Sequence, residues 1–314
     1  MTSVRYALMT VAVVRGGIEE SRHQVHVAVC RPDGTLVAAA GDPGRVTTMR
    51  SAAKPFQAQP MVASGALDAF GMDEEVLAVC CASHMGTDEH AAAVRRGLAA
   101  AGLTEDLLQN TLGTTDERVR HNCSGNHLAF LAHSAHEGWP VHGYRDPNHP
   151  SQVAALDQIA RSARIEREDI ATCTDGCGVV CFALPLQAAA AMYARLPQEL
   201  PRQAAAMRAN PQIVRGAGEL DTELMRAVPG AISKAGAEAL TCVSLPDQEL
   251  GIAVRVEDGG WRAVEPAVVS VLSQVLGWES APAGLARFRR PVMRNSPGDI
   301  VGFVEASVPL ATVS

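Results

Sequence analysis

The feature that most restricts this chain is where its strand-like and helix-like segments fall. Residues 6–14 are apolar and β-branched, and Val25, Val27 and Val29 alternate along residues 24–30. The two runs read as a hairpin, and an Asp33-Gly34 turn leads to a third strand over 36–40. Strand-like runs return only near the other end, at 240–245, at 250–256 and, past an Asp258-Gly259-Gly260 turn, at 261–264. Between the two sets lie helix candidates over 51–64, 88–101, 150–164 and 184–195, with a last helix over 268–276. Residues 75–81 fit a buried strand or a helix equally well. Strands at both ends with helices between them predict an α/β fold, a mixed sheet with packed helices in which the two ends of the chain meet. With no linker and no repeat in view, a single domain over 1–314 is expected.

Composition narrows the function. A hydrophobic content of 47% over 314 residues supplies ample core, and a net charge of −7 argues against nucleic acid as the main partner. No apolar run reaches the roughly 18–20 residues of a membrane span, so no membrane partner is expected. Residues 1–14 lack a basic segment and a small-residue cleavage site, so a signal peptide is not expected either. Eight cysteines in such a long, core-rich chain favour reduced thiols and a cytoplasmic setting over a disulfide framework.

Lysine is almost absent. Only Lys54 and Lys234 occur, against 25 arginines. Arginine stays protonated in proteins, whereas lysine can lose its proton when desolvated. The two lysines are therefore the positions to suspect of acid–base work. Lys54 follows Ser51 by three residues, within Arg50-Ser51-Ala52-Ala53-Lys54-Pro55. With Ser51 as a helix N-cap, serine and lysine would share a face one turn apart, and a neutral amine could take the hydroxyl proton. Lys234 lies four residues before Glu238, which could form a surface pair with it or partner a buried base.

Three further segments concentrate polar and ligand-capable groups. Residues 80–86 end an apolar run in Ser83 and His84. Residues 121–127 bring Asn122, Cys123, Asn126 and His127 to the start of an apolar helix, where Ser124 or Asn122 could also serve only as a cap. Residues 173–178 place Asp175 and Cys177 beside glycines that permit tight turns. Neither cysteine segment has the Cys-x-x-Cys spacing of a common zinc site.

Taken together and in order, the segments RSAAKPFQ, ASHMG, NCSGNH, GWPVHGYRDPNHPSQ, DGCGV, DTELMRAVPG and KAGAEA resemble the L-asparaginase II family, the thermolabile rhizobial-type asparaginases. The likeness extends from residues 15–23 to the final strands. It implies a fold resembling the serine β-lactamases and glutaminases, and a homodimer. It also implies two serine–lysine pairs, Ser51 with Lys54 and Ser83 with Lys234, without deciding which serine attacks. Cys123 and Cys177 match the two cysteines of a zinc site near the pocket, and Asp175 matches a pocket carboxylate. The chain departs from the pattern at Asn126, where the family has a lysine as a third zinc ligand; an amide oxygen is a poor zinc ligand beside thiolates.

The function expected from this reading is an asparaginase-like amidohydrolase acting on a small-molecule carboxamide through a serine–lysine acyl-enzyme. Ser51, Lys54, Ser83 and Lys234 are the catalytic candidates. Arg50, His84, Asn122, Asn126, Asp175 and Glu238 are the substrate-binding candidates, and Cys123 and Cys177 are the candidates for zinc. The alternatives are a related amidase or acyltransferase using a different carboxamide in specialised metabolism, and a non-catalytic ligand-binding relative.

Overall fold

A computed structural model describes residues 6–111, 117–307 and 310–313. In chain order, strands β1 (Met9–Arg15), β2 (Ile18–Cys30), β3 (Leu36–Ala40) and β4 (Val46–Thr48) come first. Short helices α1 (Lys54–Gln57), α2 (Gln59–Ala63), α3 (Ala66–Ala69) and α4 (Glu74–Cys80) follow, then the longer α5 (Asp88–Ala100), α6 (Ser124–His136) and α7 (Pro150–Ala163). The hairpin of β5 (Ala171–Thr174) and β6 (Val180–Pro185) precedes α8 (Leu186–Glu199), α9 (Pro201–Ala209), α10 (Pro211–Val214) and α11 (Leu220–Ala227). The chain closes with β7 (Ile232–Gly236), β8 (Leu240–Leu245), β9 (Leu250–Val256), α12 (Trp261–Leu276), α13 (Ala286–Arg289), β10 (Val292–Arg294), β11 (Ile300–Ser307) and β12 (Ala311–Thr312). The mixed α/β class is as expected.

The elements fall into two compact units, each assembled from separate stretches of sequence. Unit 1 comprises Met1–Thr47, Pro185–Arg195 and Glu223–Ser314, and unit 2 comprises Thr48–Leu184 and Leu196–Thr222. Among the described residues, no helix is long and apolar enough to cross a membrane.

Unit 1 is organised by one antiparallel sheet in the order β10-β11-β1-β2-β9-β8-β7, with β3 also on β2 and β12 on β3. The expected hairpin is β1–β2, turned at Gly16 and Gly17, both at positive φ. The two ends of the chain meet where β1 pairs with β11. The alternating valines do what their period requires, since Val25, Val27 and Val29 are buried along with Ile252, Val254 and Val256 on β9. One expectation fails here. Residues 261–264 begin α12 instead of forming a strand. The buried set Ala263, Val264, Ala267, Val268, Val271 and Leu272 follows a helical period. Its β-branched valines and the internal Pro266 obscure that period in the sequence.

Unit 2 packs helices around α4, which touches α5, α6, α9 and α10. Residues 75–81 thus resolve as helix. Asp73 caps α4 by accepting a hydrogen bond from the Val76 amide at 2.8 Å. The stretch expected as one helix over 51–64 is broken into a 3-10 turn at Arg50–Ala53, then α1 and α2, with Ala58 capping both helices and a proline in the first turn of each. Ser51 is not an N-cap, because Met49 holds that place and offers no side-chain bond.

The close approach that fixes this unit is made at Gly125. A Cβ there would overlap the backbone carbonyl of Val79 at the end of α4, so α6 can cross α4 closely only with glycine at that point. Gly125→Ala is expected to destabilise the protein by about 1–3 kcal/mol through overpacking against main chain. Urea unfolding would check this, and an unchanged midpoint would contradict it.

Two buried histidines of α6, His127 and His133, make the fold acid-sensitive. Burial lowers His127 to about 3 and His133 to about 4. The unfolded chain takes up protons near pH 6.5 while these folded imidazoles remain neutral, so stability is full above that pH and falls as pH drops toward 4. Each such histidine contributes up to ~1.4 kcal/mol per pH unit in this window. His133→Phe is expected to flatten the fall between pH 6.5 and 4.5 in urea titrations, and a slope identical to the parent would contradict the assignment.

Candidate active site

The polar candidates of unit 2 meet around Lys54. Its side chain, only 3% exposed, begins α1 just after the 3-10 turn. The Nζ atom lies 2.7 Å from the Ala82 carbonyl, 3.0 Å from Ser83 Oγ, 3.3 Å from the Asn122 carbonyl and 3.2 Å from Cys123 Sγ. Ser51 is not among its partners. The spacing of three residues does bring the Lys54 amide to the Ser51 carbonyl, but the tight turn sends the amine toward the end of α4 instead. The local pairing expected from sequence is therefore replaced by a long-range one, Lys54 with Ser83.

Ser83 is 2% exposed and is held by its own backbone. Its amide donates to Val214 O at 3.0 Å, its carbonyl accepts from the Arg215 guanidinium at 3.0 Å, and the Met85 amide donates to Arg215 O at 2.9 Å. This splint of Val214 and Arg215 was missed in the sequence. The run of small residues after Arg215, Gly216-Ala217-Gly218, was the only local hint.

His84 is placed beside this site but turned to structure. Its Nδ1 accepts from the Gly86 amide at 3.1 Å, and its Nε2 lies 2.9 Å from Ser124 Oγ. The Ser124 hydroxyl itself donates to Val119 O at 2.7 Å, so His84 donates through Nε2 and is neutral. Burial, then the nearby His90, hold it well below the ordinary imidazole range. Both ring nitrogens are committed to holding Ser83 and α6 in place.

Cys123 caps the N-terminus of α6. The Cys177 thiol donates to its sulfur and holds Cys123 well below the ordinary thiol range; burial opposes this, and Lys54 and His121 reinforce it. Cys177 is pushed up in turn, because it is the partner that keeps the proton. Asn122 accepts from Lys54 through its carbonyl, and its Oδ1 lies 3.2 Å from Cys123 Sγ, where it accepts the thiol proton when Cys123 carries one.

Arg50 and Asp175 form a second, bidentate pair, with Nε–Oδ2 and Nη2–Oδ1 both at 3.2 Å. Arg50 reaches it from a left-handed backbone, φ 46°, a conformation that costs a non-glycine residue of order 1–3 kcal/mol. Asp175 is presented by the β5–β6 turn, closed by Asp175 N to Val179 O and Gly178 N to Asp175 O, both 2.8 Å. Gly178 adopts φ 92° there, and a Cβ would strike the Arg145 side chain. The tight turn expected from the glycines is thus present.

The zinc site implied by the resemblance would draw on this donor set. Cys123 and Cys177 do stand together, but among the described residues no group of three His, Cys, Asp or Glu side chains converges on a point that could hold a metal. Asn126 donates through Nδ2 to Gln57 Oε1 at 3.3 Å, and its buried oxygen has no hydrogen-bond partner. His127 Nδ1 lies 2.6 Å from the Tyr144 hydroxyl, which also accepts from the Gln109 amide. Cys123 and Cys177 supply two thiols, against the three or four protein ligands that zinc takes in proteins.

Lys234 and Glu238 belong to unit 1. Lys234 is fully buried on β7 and donates to the Ala235 carbonyl at 2.7 Å. Glu238 is exposed in the turn after β7, where it and Ala239 both adopt positive φ.

A search of curated proteins finds no match. Among solved structures, a β-lactamase from Mycobacterium bovis matches with 12% identity and a TM-score of 0.40, over 79% of this chain and 93% of that one. The family model for L-asparaginase II matches residues 11–306. That match spans nearly the whole sequence, and the chain belongs to the L-asparaginase II family.

Proposed function

We propose that this chain hydrolyses a small carboxamide of the asparagine type, with Ser83 as nucleophile and Lys54 as its base. The observation that carries the reading is the 3.0 Å approach of Lys54 Nζ to Ser83 Oγ in a buried setting. In its neutral form the amine accepts the hydroxyl proton as Ser83 attacks the amide carbon. The same proton then goes to the leaving nitrogen, so ammonia departs and an ester to Ser83 remains. Water, deprotonated by the same amine, hydrolyses that ester and releases the acid. The Arg50 and Asp175 pair supplies one positive and one negative group for the substrate's carboxylate and ammonium. Lys234, carried over from the family resemblance, is a second candidate base. The cytoplasmic setting and homodimer implied by that resemblance form part of the same proposal.

Ser83→Ala is expected to lower ammonia release from asparagine by at least about 10³-fold, and Lys54→Met by a similar factor, of the size lost when a catalytic unit is broken. Ser51→Ala should keep far more activity than either. Ammonia release measured with asparagine and glutamine decides this, and a Ser51→Ala loss equal to that of Ser83→Ala would overturn the assignment. EDTA treatment is expected to leave the rate unchanged. A loss restored by added zinc would show instead that a metal completes the Cys123–Cys177 pair.

A further inference from the structure

The β5–β6 hairpin of unit 2 carries two cysteines that the chemistry above does not use. The strand register sets Cys173 directly opposite Cys181. Residues opposed in this way project from the same face of a sheet. Further along the same ladder the Asp175 amide bonds to Val179 O, so Cys173 and Cys181 fall on a hydrogen-bonded pair, with Cα atoms about 5.5 Å apart. A disulfide spans Cα separations of roughly 4.4–6.8 Å. The strands therefore already hold the two cysteines at bridging distance.

The two thiols differ in access. Cys173 is exposed, whereas Cys181 is buried. Burial pushes the Cys181 thiol up to about 12; the Arg50 amide on its sulfur opposes this, and the Cys173 thiol, in hydrogen-bond contact with it, reinforces it. A reagent arriving from solvent therefore meets Cys173 first, since exchange requires access to the attacking sulfur. The remaining cysteine of the hairpin, Cys177, is engaged with Cys123. Cys181 is left as the partner for Cys173.

From this juxtaposition we propose that Cys173 and Cys181 are a modification site, joined reversibly as a disulfide by a low-molecular-weight disulfide such as oxidised glutathione. The Cys173 sulfur, having given its proton to solvent, attacks one sulfur of the reagent. The reagent's S–S bond breaks, one thiol leaves, and Cys173 carries the other half as a mixed disulfide. Cys181 then gives its proton to solvent and attacks the Cys173 sulfur, expelling the second thiol. One outside disulfide is reduced to two thiols, and two cysteines are oxidised to one disulfide. The bridge closes the hairpin below the turn that presents Asp175 to Arg50, so it tightens that turn. Its exposed Cys173 half leaves it open to reduction by the reverse exchange. The site is independent of Ser83 and Lys54.

Treatment of the full chain with oxidised glutathione, followed by alkylation of free thiols and peptide mapping by mass spectrometry, tests this. In the wild type Cys173 is expected to be joined to Cys181, and both are expected to return to free thiols on adding dithiothreitol. Cys181→Ser is expected to stop at a mixed disulfide between Cys173 and glutathione. In Cys173→Ser the buried Cys181 is expected to react with the reagent at least about ten-fold more slowly than Cys173 does in Cys181→Ser. Thermal melts would show that the variants fold, and the wild-type map stands without them. The amides of Asp175 and Gly178 are expected to exchange hydrogen several-fold more slowly in the oxidised chain than in the reduced one. Cys173 and Cys181 both left free, a lasting mixed disulfide on wild-type Cys173, or Cys173 joined to Cys177 would each overturn the proposal. Unchanged exchange at Asp175 and Gly178 would overturn the tightening of the turn. A failure of the amidohydrolase reading would leave these results untouched, so the two can fail separately.

Discussion

Unit 2 is organised by the need to satisfy one buried amine. Lys54 Nζ has been taken out of water and given two backbone carbonyls, a hydroxyl and a sulfur in return. A buried amine without such partners would carry a heavy desolvation cost, charged or neutral. The partners come from the end of α4 and from the turn before α6, so the two segments must be held in register for the amine to be satisfied. The close crossing at Gly125 supplies that register. The network around His84 and Ser124 and the backbone splint of Val214 and Arg215 fix the same segments from other sides. Much of the polar hydrogen bonding in this region serves to keep a handful of atoms within reach of one nitrogen.

The rigidity has a chemical counterpart. Ser83 and Cys123 both border the amine, yet their surroundings differ. Ser83 is locked by main-chain bonds, whereas Cys123 has a second thiol to share a proton with and stands at the positive end of a helix. The surroundings of Cys123 thereby favour its thiolate form, the Cys177 thiol most of all, with burial opposing it.

Much of this was legible in the sequence, for reasons that can be named. The alternating valines of β2 and the glycines of its hairpin depend on local geometry alone, and they were read correctly. The scarcity of lysine singled out Lys54 before any fold was considered. What the sequence concealed was the partner. Spacing of three residues pointed to Ser51, but Pro55 and the left-handed Arg50 produce a tight turn in place of a full helical one, and the amine finds Ser83, 29 positions away. No period or propensity encodes that meeting, which depends on α4 and α6 crossing. The start of α12 was misread because its valines and Pro266 favour other structures locally, and tertiary packing overrode them. The Val214 and Arg215 splint acts through main-chain atoms, which side-chain patterns do not reveal.

Arg50 carries a conflict of its own. Its backbone sits where glycine or asparagine would be relaxed, while its guanidinium is committed to Asp175. The two demands cannot be met by one residue type. A laboratory selection for heat resistance alone would drift toward glycine at this position, and one for turnover would hold the arginine. The residue thus marks a point at which improving robustness and preserving chemistry pull the sequence in opposite directions.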